Sequence, residues 1–242
     1  MAYANKVKDT SGSSSLPSHA KVVIIGGGVV GCSVAYHLAE LGWTDIVLLE
    51  RKTLTCGTTW HAAGLIAQLR ATQNMTRLAK YSQELYASLE QKTGVATGFR
   101  QNGSITVALT DARMEELRRG AAMARAFGVE IDEVSSTDIA TRYPGLNVSD
   151  AKGGVYLEKD GQADPVNITQ ALAKGARARG AKIIEGIKVT AINQKDGVVS
   201  GVSTSQGEIE AEYVVNCGGM WAREIGQMAG VSVPLHACEH FY

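Results

Sequence analysis

The chain has 242 residues, of which 45% are hydrophobic and 20% charged, so it can bury one large core or two small ones and is not a disordered chain. Lysine plus arginine and aspartate plus glutamate number 24 each, which gives no electrostatic reason to expect a nucleic acid or an anionic membrane as a partner. No apolar run reaches the roughly 18 to 20 residues that span a bilayer, and the N-terminus lacks the apolar segment of a secretory signal. We therefore expect a soluble cytoplasmic protein that binds a small uncharged or zwitterionic ligand.

The first 20 residues predict a mobile tail, because they contain a serine run beside glycine and no apolar periodicity. They contain no arginine, which makes a mitochondrial targeting segment, and with it a matrix location, the less favoured alternative. The 4 cysteines of the chain include no C-x-x-C pair. They therefore predict reduced thiols and no metal site.

A βαβ unit is predicted directly after the tail. The β-branched run VVII that follows Lys21 is typical of a buried strand, residues 29–41 have helical character, and residues 45–50 form a second buried strand. The right-handed crossover of such a unit, which is about 30 residues long, makes its two strands parallel.

A glycine motif with the spacing G-x-G-x-x-G joins the first strand to the helix. Gly26 permits a tight turn, Gly28 lets a pyrophosphate approach the backbone, and Gly31 lets the helix pack against the strand. Glu50, 19 positions after Gly31, can accept hydrogen bonds from both hydroxyls of an adenosine ribose and would repel a 2′-phosphate, which argues against NADP. These residues predict a dinucleotide site without distinguishing FAD from NAD.

A second motif, GTTWHAAG at 57–64, begins seven residues beyond Glu50 and favours a flavin. Its small and hydroxylated residues can follow a ribityl-phosphate chain and leave room for a flat ring system. His61 lies where an imidazole nitrogen could meet the edge of that ring, whereas without this motif we would interpret it as a packed loop histidine. The other residues predicted to contact the flavin here are Gly57, Thr58, Thr59, Ala62, Gly64 and Leu65.

The remaining pattern predicts three further helices and a succession of strands. Met75, Leu78, Leu85 and Leu89 have the spacing of the buried face of the first of these helices. The helices are predicted at 74–92, 111–127 and 166–180. The strands are predicted at 103–109, 154–157, 182–193, 198–204, 208–211 and 212–216, with hairpin turns at 196–197 and 206–207.

The last residues predict a strand over 235–242 that stops without a turn or a cap, so we expect a longer protein. The even spacing of His236, His240 and Tyr242 places them on one face of that strand. They are candidates for a catalytic base and a proton relay. The alternative is that they only fill a sheet face.

Six segments together resemble the sarcosine dehydrogenase and dimethylglycine dehydrogenase group of the D-amino-acid-oxidase-like FAD enzymes. They are VVIIGGGVVG, LLERKTLTCGTTWHAAGL, TGFRQNGSI, YPGLN, DGQADP and VVNCGGMWAREIGQMAG, and the resemblance covers 21–242. It implies that His61 carries FAD covalently through the flavin 8α-methyl group. The further contacts that it implies are Val29 and Val30 with the pyrophosphate, Glu50 and Arg51 with the adenosine end, Val189 with the adenine through its backbone, and Gly218 and Trp221 with the cofactor.

Plain core packing is the alternative for Val189 and for Trp221. The fold that the resemblance implies is α/β: a Rossmann-like FAD-binding domain with a parallel sheet, interleaved with part of a mixed-sheet substrate domain. The expected segments are a tail at 1–20, FAD-binding parts at 21–95 and 166–232, a substrate-binding part at 96–165, and the start of a further substrate-domain strand at 233–242.

The same resemblance implies oxidation of the N-methyl group of sarcosine or dimethylglycine, with electron-transfer flavoprotein or oxygen as the electron acceptor. Tetrahydrofolate is expected only if a C-terminal folate-binding region exists in the full-length protein. Two alternatives remain open. ACEHFY and MWAR also resemble the non-catalytic regulatory subunit of pyruvate dehydrogenase phosphatase, and a related flavoenzyme could act on another amine or alcohol. The intact GTTWHAAG favours an enzyme, because a regulatory subunit has no need of a covalent anchor.

Overall fold

The computed structural model describes residues 16–239, and helices and strands are mixed along the chain. The strands are His19–Ile25 (β1), Ile46–Leu49 (β2), Leu65–Ile66 (β3), Ser104–Ala108 (β4), Asp132–Val134 (β5), Gly153–Leu157 (β6), Gly161–Gln162 (β7), Lys182–Ile184 (β8), Val189–Lys195 (β9), Val198–Thr204 (β10) and Gly207–Asn216 (β11). The α-helices are Val29–Glu40 (α1), Gln73–Thr93 (α2), Asp111–Ala126 (α3), Ser136–Arg142 (α4), Pro165–Ala178 (α5) and Ala222–Met228 (α6). Two 3-10 helices cover Thr59–His61 and Gly219–Trp221.

The chain divides into two compact units. The first unit combines Met1–Cys56 with Ala176–Tyr242, and the second unit is Gly57–Gly175. The sequence predicts domain changes at 95/96 and 165/166, whereas the units change at 56/57 and 175/176. The difference places the GTTWHAAG loop and α2 in the second unit.

A six-stranded sheet, in the order β8-β2-β1-β11-β10-β9, forms the centre of the first unit. β8, β2, β1 and β11 are parallel to one another, and β10 is antiparallel to both β11 and β9. All four residues of β2 are buried, which explains why an unbroken apolar run forms a strand here. The predicted α/β fold class with a parallel sheet is confirmed.

The strands after residue 180 differ from the prediction in two places. The run predicted as one strand over 182–193 is divided between β8 and β9, because Gly186 has φ +76° and donates its N–H to the Lys52 carbonyl. The two strands predicted at 208–211 and 212–216 are one continuous strand, β11. Its first residues pair with β10 and its later residues pair with β1, so one strand joins the antiparallel and parallel parts of the sheet.

The second unit contains two small antiparallel sheets, β4-β6-β5 and β3-β7. Buried residues of α3 pack with those of β4 and β6, among them Leu117, Ala121 and Val155. The sequence analysis missed β3, β5, β7 and α4, each of which is too short to show a period. α4 nonetheless has a local signature, since Ser135 and Asp138 form a capping box at its start.

The apolar face predicted for α2 is only half correct. Leu85 and Leu89 are buried, whereas Met75 and Leu78 are 51% and 58% exposed. A helical period reports an apolar stripe but not how far along the helix a partner covers it. Within residues 16–239, no helix is both long enough and apolar enough to cross a bilayer.

Candidate functional site

The carboxyl ends of the four parallel strands β8, β2, β1 and β11 lie side by side in the first unit. We call this end of the strands the carboxyl edge of the sheet. Three backbone hydrogen bonds connect them: Glu50 N–H to the Ile184 carbonyl at 3.0 Å, Gly26 N–H to the Leu49 carbonyl at 2.9 Å, and Cys217 N–H to the Ile25 carbonyl at 2.9 Å. The glycine turn, Glu50 with Arg51, and the segment that leads to Trp221 therefore leave the sheet at the same edge. This edge is where open α/β sheets bind their ligands.

The glycine turn requires glycine for reasons that the backbone shows directly. Gly26 has φ +113°, and a Cβ there would lie 2.4 Å from the Cys217 carbonyl oxygen. A Cβ on Gly31 would lie 1.9 Å from the Gly26 carbonyl oxygen. The first and third glycines of the motif thus allow the turn and the close packing of helix on strand.

Helix α1 begins at this turn, with Gly28 as its N-cap residue. Gly28 has no side chain to cap the helix, and the first turn of α1 contains no acidic residue. The positive end of the helix dipole therefore meets no negative side chain of its own first turn, which suits an anionic ligand. Val29 is half-buried, and Val30 is 62% exposed beside it.

Glu50 is buried and holds the loops around this edge together. Its Oε2 accepts the Gly27 N–H at 2.7 Å, and its Oε1 accepts the Lys52 N–H at 2.8 Å and the Cys56 thiol at 3.7 Å. A carboxylate has about four lone-pair positions, so these bonds leave acceptor capacity for ligand hydroxyls. The side chain that the sequence assigns to a ribose therefore also positions the glycine turn.

Arg51 and Trp221 lie far apart in the sequence but contact each other at this edge. The Arg51 guanidinium carbon lies 3.9 Å from the centroid of a Trp221 ring, which is cation–π geometry. Gly218 precedes Trp221, and its N–H donates to the Asn216 side-chain oxygen at 3.1 Å. The resemblance implies cofactor contacts for both Arg51 and Trp221 but gives no sign that the two side chains touch.

The side chain of Val189 is buried in the core cluster of the first unit together with Ile187, Val202 and Ile209. The alternative of core packing therefore describes its side chain. The backbone just before it lies beside the Glu50 loop, since the Ile187 N–H donates to the Glu50 carbonyl at 2.9 Å. A backbone role near the adenosine end thus stays a prediction.

Two cysteines flank the glycine turn, and their thiols are expected to be unreactive. Burial raises the pKa of Cys32 from 9.0 to about 12, and burial also raises the pKa of Cys217. Cys56 and Cys238 are exposed. Each unit by which the pKa of a thiol rises lowers its thiolate fraction about tenfold. Iodoacetamide at pH 8 should therefore modify Cys56 and Cys238 and leave Cys32 intact until the protein unfolds.

Peptide mass spectrometry measures the extent of alkylation at each cysteine directly. The unfolded chain releases the Cys32 proton near pH 9.0 and the folded chain only near pH 12, so raising the pH through that interval favours unfolding. Alkylation of Cys32 in the native protein as fast as that of Cys56 would contradict the burial of this thiol.

The histidine loop, which we define as residues 57–64, lies in the second unit. Thr59 is buried and anchors the 3-10 helix, whereas Trp60 and His61 are exposed. The His61 N–H donates to the Thr58 carbonyl at 3.2 Å, and the Trp60 and His61 rings stack with their centroids 3.7 Å apart. The other predicted flavin contacts in or beside this loop are Gly57, Ala62, Gly64 and Leu65, of which Ala62 and Leu65 are exposed.

The DGQADP segment holds the end of the histidine loop in place. Gly64 has φ +76°, and its carbonyl accepts the Ala163 N–H at 2.9 Å. Asp160 is 3% exposed; its Oδ1 accepts the Gln68 N–H at 2.9 Å, and its Oδ2 accepts the Ser104 hydroxyl at 2.6 Å. The sequence of this segment does not reveal this role, because the hydrogen-bond partners of Asp160 are distant in the chain.

The candidates for proton transfer lie at the end of the chain. His236 is exposed, and residues 231–239 form neither helix nor strand, in contrast to the strand predicted from residue 235. His240 and Tyr242 lie outside the described residues. The common face of these three side chains therefore stays a prediction.

The chain is similar in sequence and in fold to known proteins. A family model described as FAD dependent oxidoreductase, DAO, matches residues 21–242. Mitochondrial sarcosine dehydrogenase of Homo sapiens is 45% identical over 233 residues, which are 94% of this chain and 25% of that protein. The mitochondrial pyruvate dehydrogenase phosphatase regulatory subunit of Mus musculus is 42% identical over 232 residues, which are 95% of this chain and 26% of that protein.

Among solved structures, the L-proline dehydrogenase from P. horikoshii superimposes with a TM-score of 0.85 at 29% sequence identity. The match covers 89% of this chain and 57% of that chain. This chain thus spans about a quarter of the length of the curated relatives, at 25% and 26%. Their full activities therefore involve far more residues than these.

Proposed function

Because the chain belongs to the DAO family of FAD-dependent oxidoreductases, we propose that it binds FAD with the adenosine diphosphate part at the carboxyl edge of the sheet in the first unit. The observation that supports this most strongly is the convergence there of the glycine turn, the start of α1, which has no acidic residue in its first turn, and the buried carboxylate of Glu50. The glycine turn allows the diphosphate to approach the backbone closely, and the start of α1 attracts its negative charge. Glu50 can accept hydrogen bonds from the ribose hydroxyls.

The residues present fit such a ligand. The backbone of Gly28, Val29 and Val30 receives the diphosphate, while Gly26 and Gly31 keep the turn close to the sheet. Glu50 accepts from the ribose, and its negative charge disfavours a 2′-phosphate. Arg51 and Trp221 cover the adenosine end through their stacked side chains, and Gly218 and the backbone at Val189 complete this end.

We propose further that the histidine loop binds the flavin end and that His61 is bonded covalently to it. The exposed imidazole, the exposed Ala62 and the positive φ of Gly64 support this assignment. Gly57, Thr58 and Thr59 belong to the same loop, and Leu65 follows it as the first residue of β3. The exposure of the loop leaves the imidazole accessible to a cofactor.

For the activity we propose oxidation of a small N-methyl amino acid, with sarcosine and dimethylglycine as the candidate substrates. The 45% identity to a sarcosine dehydrogenase supports this choice. When bound, FAD supplies the acceptor for the hydride that leaves the N-methyl carbon. The tasks of the protein are to orient the amine, hold it unprotonated and exclude water, and for the proton we keep His236, His240 and Tyr242 as candidates.

The test of this function is reduction of the flavin by substrate. We expect that sarcosine or dimethylglycine, added without oxygen to the protein produced from its complete gene, bleaches the flavin absorbance near 450 nm, whereas glycine does not. Turnover is then followed with a dye and with oxygen to decide between electron-transfer flavoprotein and oxygen as the acceptor class. If neither amine bleaches a bound flavin, the substrate assignment is wrong, and L-proline and glycerol phosphate are the next substrates to test.

A regulatory, non-catalytic function is the second candidate, supported by the 42% identity to the phosphatase regulatory subunit. The same purified protein distinguishes the two, since a protein without yellow, acid-stable flavin would favour the regulatory function. The cytoplasmic location predicted from the sequence stays a prediction; the human and mouse relatives are both named as mitochondrial proteins.

A further inference from the structure

Trp60 has an exposed ring that packs on its neighbour in the sequence. It is 56% exposed, so it adds little to the core of the second unit. Its ring nevertheless lies 3.7 Å from the His61 ring, centroid to centroid, with 34° between the planes. Neighbouring residues in a helix ordinarily point in different directions, so this contact is a specific feature of the 3-10 helix Thr59–His61.

The backbone under the two rings is fixed on both sides. The His61 N–H donates to the Thr58 carbonyl at 3.2 Å, and the Ala62 N–H donates to the Thr59 carbonyl at 3.1 Å. Thr59, whose carbonyl is one of the two acceptors, is buried. The remaining freedom of the imidazole is rotation of its own side chain, and the indole restricts this rotation by covering one face of the ring.

We propose that Trp60 is a positioning residue for His61: the stacked indole holds the imidazole in the orientation from which one ring nitrogen bonds to the flavin. This inference rests on the proposed covalent link. A stack covers the face of the imidazole and leaves the nitrogen atoms at its edge accessible. Restricting the ring before reaction lowers the entropy lost when the bond forms.

The bond changes themselves involve only His61 and the cofactor. A bond forms between the imidazole nitrogen and the 8α carbon, one hydrogen leaves that carbon as a proton, and the imidazole N–H proton is released. The electron pair would pass to the flavin ring, and dioxygen would then remove two electrons and leave as hydrogen peroxide with two protons, which balances the two protons released. Trp60 gives up no atom and no electron, so its effect is on the rate of bond formation and not on its products.

The experiment measures FAD binding and bond formation separately. Apoprotein from the complete gene is mixed with FAD; the dissociation constant is taken from early flavin fluorescence, and the covalent rate from acid-precipitated flavin over time. We expect Trp60→Leu to slow covalent attachment about two- to tenfold, the range expected for one aromatic pair, with an unchanged dissociation constant. Trp60→Phe keeps a ring and should restore most of the rate.

Trp43→Leu is the matched control, because it removes an indole that packs on Tyr213 in the first unit and leaves His61 untouched. It should attach FAD at the wild-type rate. The inference is overturned if Trp60→Leu reacts as fast as wild type, if Trp60→Phe is as slow as Trp60→Leu, or if the dissociation constant of Trp60→Leu rises instead. Absence of acid-stable flavin from the wild-type protein refutes the covalent link itself and this inference with it.

Discussion

Replacing His61 with alanine is expected to abolish acid-stable flavin completely while FAD still binds. The carboxyl edge of the sheet, where we propose that the diphosphate binds, lies in the first unit and does not include His61. The non-covalent complex should therefore form. Without the covalent bond the flavin ring would be positioned less accurately, and a misplacement of about 1 Å lowers a reaction rate on the order of 100-fold. We therefore expect turnover of the His61→Ala protein to fall by about 10- to 100-fold.

The covalent link is measured by acid precipitation, by flavin fluorescence of the denatured band and by the mass of the peptide that contains residue 61. His19→Ala is the control, because His19 is exposed at the start of β1 and takes no part in either motif. That variant should retain all of its acid-stable flavin. Persistence of covalent flavin in the His61→Ala protein would place the link at another residue and would invalidate the role proposed for the histidine loop.

The parts of the site that could be predicted from sequence are those formed by neighbouring residues. The turn from Gly26 to Gly31 follows from one strand, one helix and the spacing between them, and Glu50 follows at a fixed distance. The backbone then explains the first and third glycines, since a Cβ at Gly26 or at Gly31 would lie 2.4 Å or 1.9 Å from a backbone carbonyl oxygen. Local sequence is sufficient here because every constraint acts within the βαβ unit.

The contacts that could not be predicted join segments distant in the chain. The Arg51–Trp221 stack depends on β11 lying beside β1, and nothing in either sequence segment specifies that order. Asp160 is similar, because its two acceptor bonds reach Gln68 and Ser104, 92 and 56 positions away. A buried carboxylate with distant partners has no sequence period, so only the fold shows what it holds.

The same reasoning explains why some helix positions were assigned wrongly. Met75 and Leu78 are three positions apart and Leu85 and Leu89 are four apart, both of which are helical spacings, yet only the second pair is buried. The period of a helix defines a stripe, whereas the neighbouring elements decide which part of it is covered. Burial along a long helix is therefore a tertiary property even where the helix itself is correctly predicted.

Replacing Gly26 with alanine is expected to destabilise the fold strongly and to abolish FAD binding. The residue has φ +113°, which an L-residue adopts at a cost of about 1–2 kcal/mol. The new Cβ would also lie 2.4 Å from the carbonyl oxygen of Cys217, the residue that follows the adjacent strand β11. Overpacking of this kind costs about 1–3 kcal/mol, so we expect a total loss of roughly 2–5 kcal/mol in the free energy of unfolding, measured by urea titration.

Gly42→Ala separates the two causes. Gly42 also has a positive φ, +84°, but a Cβ there meets no atom within 4 Å. This variant should therefore lose only the conformational part, about 1–2 kcal/mol, and should bind FAD as wild type does. Equal destabilisation by the two substitutions would mean that the contact with the Cys217 carbonyl relaxes freely, and FAD binding by the Gly26→Ala protein would show that the ligand does not need the close turn between β1 and α1.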